Sequence, residues 1–243
     1  MDMKKIDFKG LLIRVFVPTT IIIILYLVLG HFCKIPHLLL FCILSIIILL
    51  PIELGTILFA SKKEFGTYSL KSAMFGQEKM SVWKILIISF CFFGMAGVFA
   101  VVVSPIEHNI FADVRATVLN NLPAGFDWTN YEYLKSFPKS MIVLTCVVYG
   151  IFNVFLGTIT EELYFRGYLT SHYCKQGTFT PILITILFSL YHLWLPFDNV
   201  FRILVFSPVA YVSYKKKNIY INLCFHFMCN LLSTVNFVLS VLG

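Results

Sequence analysis

Charged residues are scarce in this chain of 243 residues, because Asp, Glu, Lys and Arg together make up only 13% of it. Soluble domains carry about 25% of these residues. Apolar residues make up 59%, and phenylalanine alone occurs 25 times. A soluble domain of this size cannot bury so much apolar surface, so much of the chain must face lipid. The composition therefore excludes a secreted disulfide scaffold, a disordered regulator and a DNA-binding domain.

The sequence also lacks paired cysteine motifs, internal repeats, low-complexity tracts and a signal-peptide cleavage site. Its seven cysteines are scattered through apolar runs without a CxxC pair, which predicts buried thiols and no disulfide framework. Cys224 and Cys229 flank His226, so a metal role at this histidine stays an alternative. Because a second apolar run follows the first at once, we expect an uncleaved first helix.

Seven apolar runs are candidates for helices that cross a hydrocarbon core of about 30 Å. They cover approximately residues 15–32, 37–60, 85–103, 141–171, 181–196, 200–214 and 218–242. We therefore expect an all-α fold, a polytopic membrane helix bundle of about seven transmembrane helices.

The positions of the 19 lysines and arginines indicate how the bundle is oriented. With the N-terminus in the cytoplasm, fourteen of these cations fall in inside segments and five in outside segments. This split favours a cytoplasmic N-terminus by the positive-inside rule. The net charge of +7 is then mostly a feature of topology, with attraction to anionic lipid as a secondary effect. We expect a multi-pass protein of the cell membrane, of the bacterial plasma membrane type, with no nucleic-acid partner.

The chain divides into two expected regions. Residues 1–140 are expected to form a three-helix membrane region, with a basic cytoplasmic loop over 61–84 and an interfacial or extracytoplasmic segment over 104–140. That segment is either a plain connecting loop or a lid that faces substrate. Residues 141–243 are expected to form a four-helix core that carries the chemistry.

Ionisable and amide side chains inside the apolar runs are costly in lipid, so each is a functional hypothesis. Taken singly, each is explained by a polar packing contact or a charge cluster at a helix end. Together they supply the parts of an acid–base site, namely a base for water and donors for an oxyanion. The groups lie on three helices: Glu161, Glu162 and Arg166 on the fourth, Phe188 and His192 on the fifth, and His226 and Asn230 on the seventh.

The spacing of these residues along the chain predicts how some of them contact one another. Glu162 and Arg166 are four residues apart and share a helix face, which predicts an ion pair. For Glu161 to reach the depth of His192 and His226, the fourth helix must continue to about residue 171. We therefore predict that residues 161–166 are helical and buried. By the residues alone, a His₂Glu zinc site is an open alternative to metal-free chemistry.

The three motifs, in this order, resemble those of the CPBP family, the CAAX protease and bacteriocin-processing (Abi) group of intramembrane proteases. This group includes the type II CAAX prenyl endopeptidases, and the resemblance covers about residues 145–235. It implies an intramembrane endopeptidase that cleaves a membrane-associated peptide or protein. It further implies that Glu161 and His192 activate the attacking water, and that His226 and Asn230 stabilise the oxyanion.

The resemblance implies supporting roles for Glu162 and Arg166, and a pocket-shaping role for Phe188. The family is described both as metal-dependent and as glutamate-type, and we favour the type that requires no cofactor. In the zinc alternative, Glu161, His192 and His226 would hold the metal.

Two other functions compete with proteolysis. A non-proteolytic scaffold or bacteriocin-immunity protein of the same fold would tolerate loss of Glu161 or His226, whereas all motif positions are filled here. A proton-coupled transporter would use Glu53, Glu161 and the histidines as a relay. Glu53 is expected either to reach the site or to lie at the membrane boundary, and Arg202 is expected to extend to the headgroups.

Overall fold

The computed structural model describes residues 5–175 and 177–243, which form a helical bundle without any β-strand. The predicted all-α class is confirmed for these residues. Short helices connect the long ones at Lys71–Met74, Ala112–Asn120 and Tyr131–Lys135, with a 3₁₀ turn at Ala124–Phe126. The long helices are α1 (Phe8–Gly30), α2 (His37–Phe65), α3 (Val82–Ile110), α4 (Lys139–His172), α5 (Thr180–Tyr191), α6 (Asn199–Lys215) and α7 (Tyr220–Leu242).

Five of the described helices, α1 to α4 and α7, are long and apolar enough to cross a membrane. They contain between 23 and 34 residues, which exceeds the length of about 20 residues that a span requires. The other two are shorter, because α5 has 12 residues and α6 has 17. The chain is thus a multi-pass membrane protein with five candidate spans.

Several helix ends differ from the sequence-based prediction. Helix α2 continues to Phe65 and stops at Gly66, which has the left-handed φ of 77° that favours glycine. Helix α3 runs from Val82 to Ile110, so the two connections are the shorter ranges 66–81 and 111–138. Hydropathy indicates where an apolar run ends, and both helices continue beyond that point through polar residues.

Helix α5 differs in the opposite direction. The predicted fifth run extended to Pro196, whereas the helix ends at Tyr191. The apolar residues that follow belong to a turn in which Trp194, Leu195 and Phe197 are half-buried, and the apolar run therefore did not distinguish helix from turn.

Helix α4 is continuous but not uniformly α-helical. It includes π-helical segments at Ile151–Gly157 and Glu162–Leu169, separated by the single α-turn Thr158–Glu161. Such segments are uncommon and concentrate at functional sites. The prediction that residues 161–166 are helical is confirmed, and Glu162 and Arg166 in that range are buried.

The end of α4 that lies near the start of α1 is tied to its neighbours by polar contacts. His172 Nε2 lies 2.9 Å from a carboxylate oxygen of Glu64 on α2, and the same carboxylate accepts a hydrogen bond from Ser72. A Cβ added at Gly167 would lie 2.7 Å from the Ala73 carbonyl oxygen, so only glycine permits this approach of the connecting helix. These contacts fix the height of α4 in the bundle.

The helices of residues 1–140 pack directly on those of residues 141–243. Helix α3 packs against α6 and α7, α1 against α5, and α2 against α4. Helices α5 and α6 form an antiparallel hairpin. The C-terminal four helices are therefore enclosed on several sides by the N-terminal three.

Candidate active site

Three of the sequence-predicted side chains meet inside the bundle. One carboxylate oxygen of Glu161 lies 3.8 Å from His192 Nε2, and the other lies 3.8 Å from His226 Nε2. The side chains of Glu161 and His192 are 12% exposed, and that of His226 is 5% exposed. Residues from α4, the end of α5 and α7 thus form one buried acid–base group.

His192 lies just beyond the last turn of α5, whereas the sequence predicted it inside a helix. Its backbone leaves the helix with φ −77° and ψ 60°, and its ring Nδ1 lies 2.7 Å from the Phe188 carbonyl oxygen. A carbonyl can only accept, so Nδ1 carries the proton. In the neutral ring, the lone pair is then on Nε2, which faces Glu161.

His226 is held from its other side by Glu162. The ring Nδ1 lies 2.9 Å from Glu162 Oε1, and this carboxylate is fully buried. Arg166 follows four residues later on α4, with one guanidinium nitrogen 3.7 Å from the same oxygen. The guanidinium also lies 4.0 Å from the ring centre of Phe188, a cation–π distance. The expected Glu162–Arg166 pair is present, and Phe188 contacts both this pair and His192.

Asn230 lies one turn from His226 on α7, yet its amide faces a different part of α4. The two amide hydrogens are donated to the Asn153 carbonyl and to the Thr158 hydroxyl, each at 3.0 Å. Asn153 in turn donates to Thr234. The structure therefore places Asn230 beside the acid–base group, within a polar contact between α4 and α7.

All three motifs lie in one stretch of chain, and this stretch matches a known family. Residues 142–232 match the family model of type II CAAX prenyl endopeptidase Rce1-like proteins. The predicted resemblance is thereby confirmed over this range. No curated protein and no solved structure matches the chain.

The Rce1-like family is a protease family, and the residues that meet in the bundle are those on which the resemblance depends. The match begins at residue 142 and does not cover α1, α2 or α3.

Glu53 on α2 reaches the site from outside the matched range. Its carboxylate is fully buried and accepts a hydrogen bond of 2.6 Å from the Tyr191 hydroxyl. Tyr191 is the last residue of α5 and directly precedes His192. Glu53 was expected either to reach the site or to lie at the membrane boundary. The structure shows it in contact with the residue that precedes His192. Tyr191 itself gave no signal in the sequence, because a tyrosine at a helix end is ordinary.

The first N–H groups of α6 and the last carbonyls of α5 have no partner within their own helices and need acceptors and donors from elsewhere. Glu107 at the end of α3 accepts the N–H groups of Val200 and Phe201 at 2.8 and 2.7 Å, and so caps α6. Arg202 donates to the Ser189 carbonyl at 3.2 Å and so caps the other helix of the hairpin. Arg202 was expected to extend to the headgroups, and the structure shows its guanidinium donating to the end of α5.

Aromatic rings connect this turn to the segment that follows α3. Trp194 lies 5.1 Å from the His192 ring centre and 4.8 Å from that of Phe41, which in turn lies 4.8 Å from Trp128. Trp128 also donates to the Tyr26 hydroxyl at 2.9 Å. The segment over residues 111–138 is therefore packed on α1 and α2, and a series of aromatic contacts leads from it to His192.

Replacement of Glu107 by alanine is expected to destabilise the protein by about 3 kcal/mol, because two hydrogen bonds to a charged acceptor are lost. Thermal unfolding of the purified full chain in detergent measures this change. Glu132→Ala is the matched control, since Glu132 is exposed in the segment over residues 111–138. Equal unfolding temperatures for the two variants would show that Glu107 does not support the turn.

The residues of the zinc alternative have the donor chemistry of a zinc site but not its geometry. The two free Nε2 atoms and a carboxylate are suitable zinc donors, and each imidazole has the outer hydrogen-bond partner that metal-binding histidines have. Within residues 5–175 and 177–243, however, no three His, Cys, Asp or Glu side chains are arranged closely enough to hold a metal ion. Zinc binding would require Glu161, His192 and His226 to approach one another.

Proposed function

We propose that the chain is an intramembrane endopeptidase in which Glu161 and His192 activate the water that hydrolyses a peptide bond. One observation carries this proposal, namely the largely buried Glu161 carboxylate, whose two oxygens lie 3.8 Å from His192 Nε2 and from His226 Nε2. These distances exceed a direct hydrogen bond and fit a separation that one water molecule can bridge. The match of residues 142–232 to a protease family supports the same reaction class.

In the proposed reaction, Glu161 accepts a proton from water while the water oxygen bonds to the scissile carbonyl carbon. His192 Nε2 accepts the second hydrogen bond of that water and so holds it against the carbonyl. The tetrahedral intermediate then collapses, the C–N bond breaks, and the proton held by Glu161 passes to the leaving amine. One water is consumed, and a carboxylic acid and an amine are formed.

The oxyanion of the intermediate requires hydrogen-bond donors. His226 Nε2 is the donor nearest to Glu161, and it donates when it carries a proton while Nδ1 stays on Glu162. Glu162 and Arg166 hold this imidazole in place. Asn230 is the second donor, and to act it must exchange its hydrogen bond to Thr158 or to Asn153 for one to the oxyanion.

We favour the metal-free form of this reaction, and a chelator separates it from the zinc form. Cleavage by the purified full chain is expected to be unchanged after treatment with EDTA or 1,10-phenanthroline. If the chelator abolishes cleavage and added Zn²⁺ restores it, the zinc form is correct. Zinc would then supply a Lewis acid and a more acidic bound water.

A comparison of peptides in two strains tests the function itself. The membrane and secreted peptides of cells that make the wild-type chain are compared with those of cells that make Glu161→Ala. We expect peptides that end at a common type of bond and are present only with the wild type. Glu78→Ala is the matched control, since its carboxylate is exposed and pairs with Lys217. Identical peptides in all strains would instead support a scaffold or immunity protein.

The proposed topology has seven crossings with the N-terminus in the cytoplasm. In that arrangement the 12 helical residues of α5 rise only about 18 Å, so the turn at residues 192–198 must complete the fifth crossing before α6 returns. A fluorescent protein fused to the C-terminus is then expected to be dark in the bacterial periplasm, while an alkaline phosphatase fusion is active. The reverse pattern would contradict either the orientation or the odd number of crossings.

A further inference from the structure

A cleft of about 860 Å³ lies between α1, α2 and α4 and takes no part in the proposed reaction. Its volume is within the range of about 300–1,000 Å³ that is usual for small-molecule sites. Along α2 it extends from Pro51 to Glu64, a rise of about 20 Å. The cleft therefore reaches from the start of α1 well into the apolar part of the bundle.

One end of the cleft carries three cations from separate parts of the chain, Lys5, Arg14 and Lys63. Arg14 donates to the Gly10 carbonyl at 3.0 Å, but its Nε is buried and has no hydrogen-bond partner among the described residues. A buried donor without a partner is uncommon and costly. This end of the cleft is suited to an anion.

The two carboxylates that line the same end are already engaged. Asp7 caps α1 by accepting the Gly10 N–H at 2.8 Å. Glu64 lies 2.9 Å from His172 Nε2 and accepts the Ser72 hydroxyl. Among the described residues, no ion pair joins either carboxylate to Lys5, Arg14 or Lys63. Arg14 contacts the Tyr168 hydroxyl, which also lines the cleft, but none of the three cations is paired with either of these carboxylates.

The other end of the cleft is apolar and open. Pro51, Ile52 and Phe59 line it, and a Cβ added at Gly55 would meet no atom within 4 Å. The glycine therefore leaves room beside α2 in a stretch that is otherwise filled with large side chains. A ligand that fits both ends has an anionic head and an apolar chain.

We infer that this cleft binds a phosphate-bearing anionic phospholipid of the membrane, with its phosphate on Lys5, Arg14 and Lys63 and an acyl chain beside Gly55. An anionic lipid is favoured over a zwitterionic one, because three cations, Lys5, Arg14 and Lys63, line the cleft. The inference depends on the membrane placement of the chain and not on proteolysis. A bound lipid there would brace α1 and α2 against α4.

Native mass spectrometry of the purified full chain, given equal amounts of phosphatidylglycerol and phosphatidylcholine, tests the inference. The wild type is expected to retain phosphatidylglycerol preferentially. Arg14→Gln and Lys63→Gln are each expected to lower the retained amount about fivefold, since a cation near an anionic lipid surface contributes about 1 kcal/mol. Lys9→Gln and Lys62→Gln are the controls, because these neighbours remove the same charge and do not line the cleft.

Gly55→Leu tests the apolar end, since an added Cβ there meets no atom within 4 Å and the leucine would compete with the acyl chain, so lipid retention is expected to fall by a similar factor. Gly97→Leu is its control, because an added Cβ there also meets no atom and the residue lies on α3. Equal retention of both lipids by the wild type would overturn the inference. So would displacement of the lipid by inorganic phosphate together with no effect of Gly55→Leu, which would indicate a site for a free anion.

Discussion

Replacement of Glu161 by glutamine is expected to lower peptide cleavage about a thousandfold while the protein still inserts and folds. Glutamine keeps the volume of the side chain but cannot accept the proton from water, and a positioned general base contributes about 10²–10⁴-fold. His192→Ala is expected to have a similar effect, since it removes the Nε2 atom that lies 3.8 Å from the carboxylate. The measurement is the cleavage rate of a substrate identified in the peptide comparison, with equal amounts of membrane-inserted protein.

Two control variants test whether loss of any carboxyl or imidazole group, away from the site, lowers the cleavage rate. Glu78→Gln changes an exposed carboxylate, and His31→Ala changes an exposed histidine at the end of α1. Both are expected to cleave at the wild-type rate. If Glu161→Gln or His192→Ala retained more than about a tenth of that rate, the roles proposed for these residues would be wrong, because loss of a general base costs at least about a hundredfold.

Glu162→Ala is expected to destabilise the protein by about 3–5 kcal/mol, the cost of leaving one member of a buried ion pair without its partner. The Arg166 guanidinium is only 5% exposed, and its nitrogens have no hydrogen-bond partner among the described residues. His226 would lose its Nδ1 contact at the same time. The variant is therefore expected to lose cleavage as well as thermal stability, measured by unfolding in detergent.

The matched control for this prediction is Glu78→Ala. Glu78 also pairs with a cation, Lys217 at 3.0 Å, but both side chains are more than 60% exposed. Exposed pairs contribute up to about 1 kcal/mol, so this variant is expected to unfold close to the wild type. If the Glu162→Ala protein were as stable as the control, the Arg166 charge would have to be paired with another group in the variant.

The candidate site was largely predictable because its signals are local. In an apolar chain, an ionisable residue within a helix is costly and thus conspicuous, and the four-residue spacing of Glu162 and Arg166 places them on one face. The same reasoning placed His226 and Asn230 on one face of α7. It did not show that the Asn230 amide is engaged by Asn153 and Thr158, because that contact joins two helices.

The supporting residues were less predictable. Glu53 was conspicuous in the sequence, but its partner Tyr191 lies 138 positions away. Glu107 was assigned to an outer loop because the third apolar run stops near residue 103, and its two backbone partners belong to α6. The end of α5 and the start of α6 leave backbone groups without helical partners. Hydropathy does not indicate which distant side chains will form hydrogen bonds with those groups.

The sequence by itself determined that lipid is the solvent, that the chain is helical, and which few polar side chains require explanation, since composition and spacing along a helix are properties of the chain alone. Only the tertiary structure decided that α5 stops at Tyr191, that Glu107 and Arg202 satisfy the resulting turn, and that Glu53 contacts the residue before His192. Distances between helices depend on packing, and a buried polar group takes whichever partner packing brings within reach.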